Sequence, residues 1–195
     1  SAELHTAMDM EFDRQKTAVA FVYPAYDSDA DAAPTDKALG AWVLDYRFDK
    51  DQGEKVVDAS GRGNHGRARN VPLAEGRDGH QARRFEGQGC IEVPKSPSLN
   101  PAVGNWSVEV VFKAQAPDGI LVAQGGASFG YCLALEGGKP VFTVVSQKRP
   151  SRGAATQTTV GEWTTLRADI TPQALLLRVN GGAPVRARLK SGIFQ

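Results

Sequence analysis

Charge of one sign is what this sequence most lacks. Lysine and arginine number 23 and aspartate and glutamate 22 in 195 residues, a net charge of +1. So balanced a chain lacks the electrostatic footprint of a nucleic-acid binder, and no nucleic-acid partner is expected. A long apolar run is missing too. None approaches the ~20 residues with which a helix crosses a bilayer, so no membrane span is expected. Cysteine is reduced to Cys90 and Cys132, both in apolar, strand-like contexts. They read as buried free thiols, since free cysteine is among the most buried residue types. A disulfide between them would need a Cα separation that sequence cannot supply. Histidine is reduced to His5, His65 and His80, none with a motif-like partner, so a catalytic triad has little support.

Glycine and proline, by contrast, are plentiful at 21 and 11, which suits a fold of frequent tight turns. Residues 1–40 read as an extension. Leu4, Ala7, Met8, Glu11 and Phe12 fall at helical spacing within residues 1–16, and Thr17–Tyr23 looks like a strand. An acidic, proline-containing stretch from Asp27 to Asp36 reads as a linker. From Ala41 to Gln195 the pattern is strands and turns. Trp42–Phe48 alternates apolar and polar residues, and Trp106–Lys113 places Trp106, Val108, Val110 and Phe112 on one face. Further strands are expected at Cys90–Val93, Ile120–Ala123, Tyr131–Leu135, Val141–Ser146, Trp163–Ile170 and Leu175–Val179. Asn180-Gly181 then signals a hairpin. The expected fold is all-β, an antiparallel two-sheet jelly-roll sandwich with a short helical N-terminal extension. Its expected core includes Val108, Val110, Phe112, Trp163 and Leu177, with Trp42 and Trp106 also inside.

Asp58-Ala-Ser60-Gly61-Arg-Gly63-Asn64-His65-Gly66 is the stretch richest in turn chemistry. Gly61, Gly63 and Gly66 permit positive φ, and Asp58, Ser60 and Asn64 can bond the backbone and stiffen the loop. Asp49, Asp58 and Asn64 also offer hard oxygen ligands of the kind calcium takes. Gly61-x-Gly63-x-x-Gly66 matches a dinucleotide fingerprint, but no helical pattern follows it. Gly126-x-Ser128-x-Gly130 matches a nucleophile elbow, but a strand pattern follows it.

Asp45-Tyr-Arg-Phe-Asp49, the Asp58–Gly66 turn, Phe85-Glu-Gly87, Cys90-Ile-Glu-Val-Pro94 and Ser96-Pro-Ser-Leu99 occur in this order. They are followed by Asn105-Trp-Ser-Val-Glu-Val-Val-Phe112, Gly161-Glu-Trp163-Thr and Leu177-Arg-Val-Asn-Gly181. Over about residues 41–189 this series resembles the bacterial laminin-G-like modules of the concanavalin-A-like superfamily. The resemblance implies a secreted or periplasmic, non-catalytic module that binds a glycan or polysaccharide, or braces a catalytic domain of the same protein. It also implies a bound calcium ion as an option. Tyr46, Phe129 and Tyr131 are the aromatic residues considered for sugar contact. Glycosidases of similar fold place acidic residues on one strand as Glu-x-Asp-x-x-Glu or Glu-x-Asp-x-Glu. No such string occurs, so no catalytic residue is assigned. Glu3-Leu-His-Thr-Ala-Met-Asp-Met also resembles a helix near the end of sulfatase catalytic domains. The alternatives are therefore the C-terminal part of a larger sulfatase- or glycosidase-like hydrolase, or a protein-interaction domain. The resembling family closes its sheet with a segment that is not found before Gln195. Either Thr17–Tyr23 pairs in the sandwich, or the closing strand comes from outside this stretch.

Overall fold

A computed structural model describes residues 21–24, 42–100, 105–171 and 173–190. The helix expected over residues 1–16 lies outside them, as do the acidic linker and Thr17–Ala20. The strands, in order, are β1 (Phe21–Pro24), β2 (Lys55–Val56), β3 (Gly66–Arg69), β4 (Leu73–Glu75), β5 (Gln81–Arg83), β6 (Cys90–Glu92) and β7 (Trp106–Lys113). Then follow β8 (Gly119–Gly125), β9 (Phe129–Glu136), β10 (Lys139–Ser146), β11 (Arg149–Ala154), β12 (Trp163–Ile170), β13 (Ala174–Val179) and β14 (Val185–Arg188). Among the described residues the helical elements are two single 3-10 turns, Arg77–Gly79 and Pro97–Leu99.

Two antiparallel sheets form a β-sandwich. One has the order β1-β7-β12-β13-β14 and the other β11-β10-β9-β8. Alternation along β7 explains why. Trp106, Val108, Val110 and Phe112 turn inward and are buried, while Glu109 and Lys113 turn outward. Leu166, Leu175 and Leu177 join them from the same sheet, and Tyr131, Leu133, Phe142 and Val144 come from the other. The apolar run of β9 lacks alternation because Cys132 and Ala134, on its other face, are buried as well. Asn180 and Gly181 both have positive φ, and Gly182 N–H closes the turn on the Val179 carbonyl at 3.0 Å. β1 lies antiparallel beside β7, with Val22 opposite Val108.

Four expectations need correction. Trp163 is half-buried, not core. Its neighbours Thr164, Leu166, Ala168 and Ile170 take the inward positions, leaving Trp163 opposite Lys113 on the outward face. Trp42 is likewise only half-buried. Trp42–Phe48 does not form a continuous strand. It makes isolated bridges at Leu44 and Tyr46, the latter to Asp58, and Asp45 between them donates its N–H to a side chain, Asp58 Oδ1. Cys90 and Cys132 are free thiols; Cys132 is buried but Cys90 only partly so. Burial pushes the Cys132 thiol up to about 12, which keeps it protonated and unreactive at neutral pH.

A second, smaller lobe carries its own apolar cluster. Leu44, Tyr46, Phe48, Val56, Ala68, Val71 and Phe85 are buried in it, with Ile91, Val93 and Leu99 packed against them. Its ladders are β2-β3-β6 and β4-β5, and among the described residues no strand of it pairs with either sandwich sheet.

Candidate functional site

The Asp58–Gly66 turn is the hub of the lobe. Asp58 is buried, and each of its carboxylate oxygens accepts two hydrogen bonds. Oδ1 receives the N–H groups of Asp45 and Ser60, each at 2.9 Å. Oδ2 receives the Ser60 hydroxyl at 2.8 Å and the Asn64 N–H at 2.9 Å. Burial alone would raise the carboxyl pKa. The donors from Ser60, Asp45 and Asn64 outweigh it, and the group lies below its ordinary value. Asn64 extends the clamp. Its side-chain amide donates to the Val43 carbonyl at 2.6 Å and to Ser98 Oγ at 2.9 Å, while its own carbonyl accepts the Tyr46 hydroxyl at 2.7 Å. His65 is spent on the backbone, its Nδ1 accepting Asp58 N–H at 3.0 Å.

The glycines serve two different needs. Gly61 and Gly63 adopt φ of 80° and 75°, as the turn chemistry predicts. Gly66 does not have positive φ. It is required by close approach, since a Cβ there would stand 2.7 Å from the Tyr46 hydroxyl and 2.8 Å from Ile91 Cγ2.

These contacts bear directly on calcium. Asp58 has four lone-pair positions and all four already face N–H or O–H donors. The Asn64 amide nitrogen, not an oxygen, is held by the neighbouring acceptors. Asp49 points elsewhere, accepting Gln81 N–H at 3.0 Å and lying 3.3 Å from His80 Nδ1. The Gln81 bond leads in holding its carboxyl below the ordinary value. Among the described residues, no three His, Cys, Asp or Glu side chains gather where a metal could sit. Asp49, Asp58 and Asn64 do not gather into a calcium site: the Asp58 oxygens are occupied by N–H and O–H donors, and Asp49 faces Gln81 and His80 instead.

The three aromatic residues separate cleanly. Tyr46 is a core residue of the lobe. Tyr131 is a core residue of the sandwich, 4.4 Å from the Trp106 ring centroid. Burial pushes both phenols above their ordinary value. Only Phe129 of the three is exposed, at 42%. It opens β9 at one end of the sandwich. There Lys148 N–H donates to the Ser128 carbonyl at 3.1 Å, fixing the Gln147–Lys148 turn beside it. Ser128 sits in the β8–β9 turn and is followed by a strand, so the elbow geometry is absent there.

Two polar clusters escape a reading of the sequence. Arg83 and Asp51 form a buried ion pair at 2.8 Å, with side-chain exposures of 3% and 0%. Arg83 also donates to the Val71 and Gly53 carbonyls, and Asp51 accepts Val57 N–H. On the outward face of the five-stranded sheet, Asp169 accepts from Ser107 at 2.6 Å, from Arg167 at 2.9 Å and from Arg178 at 2.6 Å. Alternation shows that Ser107, Arg167 and Arg178 point outward. Nothing in sequence brings residues of three strands together, which is the work of register. Both clusters are closed ion pairs and hold structure.

One modest effect tests the hub. Tyr46→Phe removes the bond to the Asn64 carbonyl but keeps the packed ring. It is expected to cost about 1 kcal/mol in urea unfolding. A neutral result would show that the hydroxyl is not engaged.

No family model matches the chain, and no curated protein matches its sequence.

Proposed function

We propose that this chain is a non-catalytic, carbohydrate-binding accessory module of a secreted or periplasmic protein. On this reading the sandwich is a jelly roll of the concanavalin-A-like, laminin-G-like kind. The single observation that carries the reading is Phe129. It is an exposed ring at the start of β9, flanked by the polar Gln147–Lys148 turn. A flat apolar surface with polar groups at its rim is the usual means of holding a pyranose ring. Three side chains of the lobe support the non-catalytic part, since Asp58, Asp51 and His65 are committed to backbone groups. General acid–base work on a glycoside would need carboxylates facing a substrate.

Phe129→Ala is expected to abolish retention of the chain on immobilised polysaccharide in affinity electrophoresis. Stability should change by less than about 0.5 kcal/mol, as for an exposed side chain. Unchanged retention by a bound glycan would place the contact elsewhere. A chain that binds no glycan, tested across neutral and acidic polysaccharides, would overturn the function.

A further inference from the structure

The net charge of +1 conceals a division. From Gly137 to Gln195 there are nine basic residues and two acidic ones, a net of +7; Ser1 to Glu136 holds 14 basic and 20 acidic, a net of −6. The fold concentrates the basic half along one seam. On β14 and just after it, Arg186, Arg188 and Lys190 are exposed, while Leu189 between them is buried and Ala187 packs against the core. At ~3.4 Å per residue the three alternate cations stand roughly 7 Å apart.

β11 runs beside them where the two sheets meet. Ser151 Oγ accepts Lys190 N–H at 2.9 Å, and a Cβ on Gly153 would lie 3.5 Å from Ala187 Cβ. Arg149, at the start of β11, is in register with Ser146, and Ser146 with Phe129. Lys148 precedes it in the turn held by Ser128. Phe129, Lys148, Arg149, Lys190, Arg188 and Arg186 therefore form one track around the end and edge of the sandwich.

The nearby acids do not neutralise this track. Asp169 is taken by Arg167 and Arg178, and Glu136 by Arg152. Among the described residues none of the five cations of the track forms an ion pair.

We propose that this seam binds an anionic polysaccharide, carrying sulfate or carboxylate groups along its length, with Phe129 contacting a sugar ring at one end. The proposal rests on the glycan reading above and narrows it to acidic glycans. A linear polyanion matches cations repeated along a straight strand edge. Single-stranded nucleic acid fits less well, because sheets that bind it stack bases on exposed aromatics. β11 and β14, Arg-Pro-Ser-Arg-Gly-Ala and Val-Arg-Ala-Arg, offer none.

The test uses the full chain, with dextran sulfate, neutral dextran and duplex DNA as probes. Dextran sulfate is expected to bind with an affinity that falls linearly in log–log form with salt, as counterions are released. R186A/R188A/K190A should weaken it at least tenfold and flatten the salt dependence. R186K/R188K should retain it, and R188E alone should weaken it. K50A/K55A/K95A, which removes as many exposed cations from the other lobe, should leave it unchanged. Equal losses in the two triple variants, or no loss in the first, would overturn the seam. So would DNA binding as tightly as dextran sulfate. Capture of neutral dextran through Phe129 with no gain from sulfate would sink the seam alone. Failure of every polysaccharide would sink both proposals.

Discussion

Replacing Phe112 with alanine is expected to lower the unfolding free energy by ~3–5 kcal/mol, the range for a buried phenylalanine. Phe112 is 1% exposed, on β7 opposite Thr164, in the packed space between the sheets. The loss has two parts, the transfer free energy of the ring and the hole left behind. β7 is flanked by β1 and β12 and cannot easily move inward to fill that hole. For a domain of this size each kcal/mol corresponds to roughly 2–4 °C, so the melting temperature should fall by about 10 °C. Urea unfolding should show a lower midpoint with the slope preserved. A loss below about 1 kcal/mol would mean that the inward face of β7 has been misidentified.

Asp58→Ala is expected to cost on the order of 3–5 kcal/mol, although it removes a side chain of modest size. The reason is what it leaves behind. The N–H groups of Asp45 and Asn64 lose their acceptor in a buried setting, and each unsatisfied group costs about 1–3 kcal/mol. The Ser60 bonds go with them. Asp58→Asn keeps the volume but turns an NH2 toward donors, so it should also destabilise.

The pH dependence separates charge from shape. The folded carboxyl lies below its ordinary value, and in the unfolded chain it returns to about 3.9. A depressed carboxyl stabilises fully above the unfolded value. That contribution is lost as pH falls through the folded one. The wild-type advantage over Asp58→Asn should therefore be constant near neutrality and shrink below about pH 4. Asp49 shifts in the same direction but is exposed, so Asp49→Asn serves as the control. An advantage that stays constant into strong acid would show that the carboxylate charge contributes nothing.

The strands of the sandwich were legible where one face is apolar and the other is not, as in Val108, Val110 and Phe112. Trp163 misleads because a large aromatic side chain invites burial. The parity of Thr164, Leu166, Ala168 and Ile170 is the better guide, and it places Trp163 outward. β11 was hidden because Arg-Pro-Ser-Arg-Gly-Ala has almost no strand propensity and owes its conformation to pairing with β10. The Asp58–Gly66 turn could be recognised by kind but not by partners. Val43 and Ser98 lie 21 and 34 residues from the Asn64 amide that holds them. The same oxygens suit a cation or N–H donors equally well on paper, and only the geometry decides. The charge division was present in the composition throughout, but summing over the whole chain cancelled it.

The separate apolar cluster of the lobe has a consequence for how the molecule opens. Among the described residues no ladder joins the lobe to the sandwich, and a cross-link such as Gln124 Nε2 to the Leu99 carbonyl, 2.9 Å, involves a single side chain. Cooperativity spreads through shared ladders and shared packing, and among the described residues the two parts share neither a ladder nor an apolar cluster. The two are expected to behave as foldons of unequal depth. The lobe can detach and reclose while β7, β9, β10 and β12 remain protected from solvent exchange. Asp58, whose bonds all lie within the lobe, is expected to govern how readily the lobe itself unfolds.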